Sequence, residues 1–247
     1  MRTVSKSGIR SAALTVVALL SFTLSGQSAV LYDSDGFEKP AFAVGTVAGQ
    51  NGWTVAAGNP SFLTIEGSLV YQGSQALFLQ NLPGVRVLAR YTLPSAQSTD
   101  FWADVYIRPP AVSDIGANFS LNVRDSGGVI QSSVSFSSAG VAGSPYNQLD
   151  WNRITIFYDF EGAGNKYYVY LNNALITPTG LAFSGANLRL FDFDWTANAS
   201  ATTSGGGYVD NFVIQTTSPI PEPGVVVLLG LGLLVVLASR KRVRTCR

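Results

Sequence analysis

The sequence contains no histidine. That absence removes Ser–His–Asp and Cys–His nucleophilic sites, and every metal site built on imidazole. Cysteine is almost as scarce: Cys246 is the single one, so neither an intrachain disulfide nor a thiolate cage can form. Charge is sparse, at 13% of the chain, and unevenly placed. Of 16 Lys and Arg residues, eight lie in the end segments 1–29 and 219–247. Of 15 Asp and Glu residues, 14 lie in residues 30–218, which leaves that body at −6. An acidic body with basic ends excludes nucleic acid as the partner of the body.

What the chain does have begins with two apolar segments near its ends. Arg2, Lys6 and Arg10 precede the apolar run Ala12–Leu24, and small residues follow at Ser25, Gly26, Ser28 and Ala29. This order is that of a cleaved export signal over residues 1–29, read by the export machinery. Near the other end, residues 225–238 are uncharged and dominated by Val and Leu. At ~1.5 Å per residue a helix over them covers roughly 21 Å, against the ~30 Å of a hydrocarbon core. Such a helix spans the inner membrane with local thinning and snorkelling of its flanks. Arg240, Lys241, Arg242 and Arg244 follow and belong on the cytoplasmic side, so the body lies beyond that membrane.

Pro221-Glu222-Pro223, the apolar segment behind it and the terminal basic cluster occur in that order over residues 219–244. Together they resemble the PEP-CTERM sorting signal. The resemblance assigns residues 218–247 to sorting. It implies processing near Pro221, Glu222 and Pro223 by an exosortase, a membrane-embedded enzyme of Gram-negative bacteria. It also implies transient anchoring in the inner membrane, a final place at the cell surface or in the extracellular matrix, and association with exopolysaccharide and biofilm.

The body, residues 30–217, alternates with a period of two. Phe101, Ala103, Val105 and Ile107 oppose Trp102, Asp104, Tyr106 and Arg108. Ile154, Ile156 and Tyr158 alternate with Arg153, Thr155 and Phe157, and Tyr167, Val169 and Leu171 with Tyr168, Tyr170 and Asn172. Turn residues separate the runs, as at Asp125–Gly128, Gly162–Asn165 and Asn172-Asn173. Strands with one apolar face each must close against a second sheet, which predicts an all-β, two-sheet antiparallel sandwich flanked by a signal helix and a transmembrane helix. The body also resembles the concanavalin A-like, laminin-G-like jelly rolls. The residues that carry this are Phe37-Glu38, Gly49–Trp53, the hairpin Trp151–Asn172 and the closing strand Tyr208–Ile214. That fold hosts lectins, adhesive domains and glycan hydrolases alike, so function must come from the site.

Three chemistries are open to such a body. A glycoside hydrolase needs two carboxyl groups flanking the bond. The body holds only Glu38, Glu66 and Glu161, and none begins the Glu-x-Asp-x-x-Glu pattern of the jelly-roll glucanases. Asp192 and Asp194 share a strand face and come nearest to a pair, but the favoured reading of them is two solvated acids opposite an aromatic core face. A Ca²⁺ site is the second option, from Asp33, Asp35 and Glu38 around Gly36. The third is glycan binding, with Trp102, Tyr106, Tyr168 and Tyr170 turned outward as an aromatic platform and Asp104 between them to read hydroxyls. Trp53 and Trp195 fit the core instead. The reading is a non-catalytic, exopolysaccharide-associated or glycan-binding surface protein. The alternatives are a purely structural or adhesive matrix protein and a divergent glycan hydrolase.

Overall fold

In the computed structural model, residues 29–80, 82–109, 118–162, 164–196 and 206–220 are described. Their alternating runs form sixteen strands. The first are β1 (Val30–Asp33), β2 (Gly45–Thr46), β3 (Trp53–Ala57), β4 (Leu63–Glu66) and β5 (Ala76–Gln80). Then come β6 (Arg86–Gln97), β7 (Phe101–Arg108), β8 (Asn118–Arg124), β9 (Ile130–Ser137) and β10 (Gly140–Val141). The last are β11 (Asn152–Asp159), β12 (Lys166–Leu171), β13 (Ala174–Leu175), β14 (Leu181–Ala182), β15 (Leu188–Thr196) and β16 (Gly206–Gln215).

The strands pair into two antiparallel sheets. The larger runs β13-β12-β11-β7-β16-β5-β4-β2, with β1 on β16 and β14 on β12. The smaller runs β10-β9-β8-β15-β6-β3. Both turn their apolar alternates onto one core. Phe101, Val105, Ile154 and Ile156 enter from the large sheet, and Val87, Leu121, Phe191 and Phe193 from the small one. Burying each such side chain is worth about 1.5–3 kcal/mol relative to exposure, so a strand slipped by one residue would forfeit its whole face. Trp53 is fully buried, stacks on Phe193 at 5.7 Å and donates from Nε1 to the Tyr32 hydroxyl at 2.7 Å. Trp195 is also core. The predicted two-sheet sandwich is therefore the observed architecture, while the flanking helices predicted over residues 1–29 and 225–238 fall outside the described residues, Ala29 apart. No helix among the described residues is long and apolar enough to cross a membrane.

Two local features position the site. Asn172 and Asn173 carry φ of 50° and 69°. Both central residues of a tight hairpin turn need that sign, which is why asparagines follow β12. In β16 the register against β7 shifts between Asp210 and Val213, with Asn211 at φ 47°. This bulge lets Phe212 enter the core while Asp210 stays buried behind the sheet.

Candidate functional site

The outer face of the large sheet carries three rows of side chains across β7, β11 and β12. In the first, Trp102 lies opposite Phe157, and Phe157 opposite Tyr168. Their rings are 4.5 Å apart at 24° and 6.0 Å apart at 22°. In the second row, Asp104, Thr155 and Tyr170 are neighbours, and Tyr170 leans to 5.8 Å from Trp102. In the third, Tyr106 lies opposite Arg153.

The four aromatics expected on this face are there, each half-buried. Side chains stand roughly perpendicular to a sheet, so rings stacked side by side turn their edges outward. Trp102, Phe157 and Tyr168 thus form a fence of ring edges, tipped by a hydroxyl at Tyr168, instead of a flat plate. Gly180 closes one end of it: at φ 67°, a Cβ there would stand 2.9 Å from the Tyr168 ring.

Asp104 differs from its expected role as a free reader of hydroxyls. It is only 8% exposed. Arg153 donates to it from Nε to Oδ1 at 2.9 Å and from Nη2 to Oδ2 at 2.8 Å, and the Thr155 hydroxyl donates at 2.6 Å. The bond to Asp104 in turn holds the Arg153 guanidinium above its ordinary pKa. Arg153 also donates to Asn173 Oδ1 at 2.8 Å and to the Pro219 carbonyl at 3.3 Å. The polar row between the aromatic rows is thus a closed charge pair.

Tyr106 is covered as well. Tyr71 lies on it with centroids 3.7 Å apart and planes at 15°, and Tyr71 is itself 43% exposed. Trp151 meets Tyr71 edge-on at 5.9 Å. The exposed ring at this end is therefore Tyr71, which belongs to a loop without periodicity. Two carboxylates hold that loop. Asp210 Oδ2 accepts from the backbone N–H groups of Tyr71 at 2.9 Å and Gln72 at 3.1 Å, and Oδ1 from that of Asn211 at 2.8 Å. Burial pushes the Asp210 carboxyl up to about 6, against the opposing pull of those three bonds. Glu38 accepts from the Ser74 backbone N–H, the Ser74 hydroxyl and the Gln75 backbone N–H. Burial raises Glu38, but these bonds outweigh it and hold the carboxyl below its ordinary value.

Two of the three acids expected to bind Ca²⁺ already accept hydrogen bonds within the protein. Asp33 Oδ1 caps the Asp35 N–H at 2.7 Å, and Glu38 is engaged with the Ser74 segment. Among the described residues no group of three or more acidic, His or Cys side chains stands close enough to hold a metal ion. Asp33, Asp35 and Glu38 instead line a cleft of ≈ 340 Å³ with Gln72, Asp104, Tyr106 and Asn211.

On the opposite, small sheet, Asp192 and Asp194 are not solvated acids. Asp192 is fully buried and takes Arg90 Nε at 2.6 Å and Arg124 Nε at 2.5 Å. Asp194 is paired with Arg86. Three arginines from the flanking strands β6 and β8 occupy the pair, which leaves neither carboxyl free as an acid or a base.

Residues 219–242 match the PEP-CTERM protein-sorting motif. That motif marks bacterial proteins exported to the cell surface and processed by an exosortase. Of the expected processing and basic-cluster residues, Pro221, Glu222, Pro223, Arg240, Lys241, Arg242 and Arg244 all lie outside the described residues. No curated protein matches the chain. Among solved structures, "Cellulose induced protein, Cip1" is similar at 11% identity and TM-score 0.52, over 75% of this chain and 97% of that one. "Structure of TmCBM61 in complex with beta-1,4-galactotriose" is matched at 13% identity and TM-score 0.45, over 75% of this chain and 97% of that one. A "Sialidase" is matched at 10% identity and TM-score 0.49, over 68% of this chain but only 17% of its own length. The likeness to Cip1 shows the fold alone, a two-sheet antiparallel jelly roll.

Proposed function

We propose that this is an exported, exosortase-processed surface protein whose jelly roll holds exopolysaccharide without catalysis, on the outer face of the large sheet. The carrying observation is the row Trp102–Phe157–Tyr168 with Tyr170 beside it. Four rings, each half-buried, stand in contact along the outer sheet face. Apolar ring edges and Tyr hydroxyls together suit a sugar, whose C–H and O–H groups alternate around its ring. The charge pair Arg153–Asp104 stiffens the strip between the rows.

The test is titration of the folded body, residues 29–220, with soluble exopolysaccharide, on the wild type and on Trp102→Ala and Tyr168→Ala. Saturable binding lost in both variants supports the reading. Binding that survives both variants, or no binding by the wild type, favours a structural or adhesive matrix protein that contacts other proteins through its sheet faces. The stacking of each ring against its neighbour is what keeps that second reading in view, since it stabilises the face with or without a ligand.

A further inference from the structure

Beside the aromatic rows lies the ≈ 340 Å³ cleft between the turn at Asp33–Glu38 and the loop at Gln72-Gly73. Asp104 and Tyr106 belong both to the cleft and to the rows. Trp102 and Tyr106 are four residues apart on β7, roughly 13 Å at ~3.3 Å per residue, so a polymer engaging both ends must be extended. At the cleft end, Tyr71 covers Tyr106 with one face and is itself 43% exposed.

The lining sets the chemistry. Asp33 and Asp35 supply carboxylate oxygens, while those of Glu38 and Asp104 are already bonded within the protein; Gln72 and Asn211 supply amides, joined by Asn211 Nδ2 donating to Gln72 Oε1 at 3.1 Å. Among the described residues no lysine or arginine lines the cleft. Arg153, the cation beside Asp104, has its charge matched by that carboxylate. An anionic group entering here would lose its hydration and meet only like charge, whereas hydroxyl donors would meet acceptors.

We infer that the cleft and Tyr71 form a second subsite, which takes a neutral, hydroxyl-rich sugar residue of the same extended chain and turns away chains bearing uronate or sulfate. This rests on the glycan-binding reading of the Trp102 row. Tyr71 stacks on the sugar, Gln72 and Asn211 read its hydroxyls, and Asp35 enforces the charge selection.

The experiment is calorimetric titration of residues 29–220, whose core residues all fall within that segment. The probes are disaccharides and hexasaccharides of β-1,4-glucan, β-1,4-xylan and β-1,4-galactan, and a hexasaccharide of alginate, a polyuronate. A neutral hexasaccharide should bind saturably and its disaccharide about tenfold or more weakly, because the short one reaches a single end. Tyr71→Ala and Gln72→Ala, both at exposed positions, should each reduce hexasaccharide affinity about tenfold while far-ultraviolet circular dichroism keeps its folded form. Asp35→Asn should raise alginate affinity. Two outcomes overturn the subsite alone: alginate binding more tightly than every neutral probe, or Trp102→Ala abolishing binding while Tyr71→Ala and Gln72→Ala leave it intact. Absence of binding by the wild type to every probe overturns the subsite together with the glycan-binding reading.

Discussion

Arg153 and Asp104 face each other across β11 and β7 as a two-point ion pair, Nε to Oδ1 at 2.9 Å and Nη2 to Oδ2 at 2.8 Å. The carboxylate is buried, so the pair behaves unlike a surface salt bridge. Removing the cation leaves a charge that water cannot reach, and Arg153→Ala should cost about 3 kcal/mol of unfolding free energy. Arg86→Ala breaks a comparable pair with Asp194, but the arginine side chain is 47% exposed, and the loss should stay within about 1 kcal/mol. Urea unfolding of the two variants beside the wild type measures the contrast. Equal losses would place Asp104 in solvent.

Asp210 and Glu38 hold the same loop and respond to pH in opposite directions. The Asp210 carboxyl is raised from 3.8 to about 6 in the folded protein, so between those values the folded state binds more protons than the unfolded one. Its contribution to stability is therefore full below pH 3.8 and declines as pH rises toward 6. Glu38 is lowered from its ordinary 4.5, so its contribution is present above that value and is lost as pH falls through the folded pKa. Urea unfolding from pH 3.5 to 7 should show Asp210→Asn gaining relative to the wild type as pH rises through 4–6, and Glu38→Gln losing the acid-side decline. Parallel curves for wild type and Asp210→Asn would contradict the assignment.

Gly180 stands against the fence of rings, and its φ of 67° disfavours any other side chain. Gly180→Ala combines that backbone cost with a methyl group 2.9 Å from Tyr168, and should destabilise by about 1–3 kcal/mol. Displacement of Tyr168 should also change near-ultraviolet circular dichroism. A variant with unchanged spectrum and stability would mean that Tyr168 is free to swing.

The buried acid of the small sheet serves folding. Asp192→Asn leaves Arg90 and Arg124 without their counter-charge, and should cost about 3 kcal/mol. Neither wild type nor variant should release reducing sugar from a panel of polysaccharides. Release by the wild type that disappears in the variant would restore the hydrolase reading.

The strands were legible because alternation is a local property. Phe101–Arg108 and the Trp151–Asn172 hairpin show on paper which face each residue takes, and the four platform aromatics point as expected. The same alternation places Phe157 on that face. What alternation cannot show is the partner of a polar side chain. Asp104 and Asp192 read as free acids until β11, β6 and β8 bring arginines beside them, a matter of strand order and not of spacing. Tyr71 carried no signal at all. Its position over Tyr106 depends on Asp210, 139 residues further along the chain, capturing its backbone N–H.

The two ends of the folded body are tied together. Ala29 N–H donates to the Thr216 hydroxyl at 3.2 Å, and Thr216 N–H to the Ala29 carbonyl at 3.0 Å, next to the antiparallel pairing of β1 with β16. Entry and exit thus share one corner of the molecule. A body joined to its surroundings at such a corner hangs like a bead on a single thread. Tension drawn through the chain would peel at the β1–β16 seam first, and the two-sheet core behind it would carry little of the load.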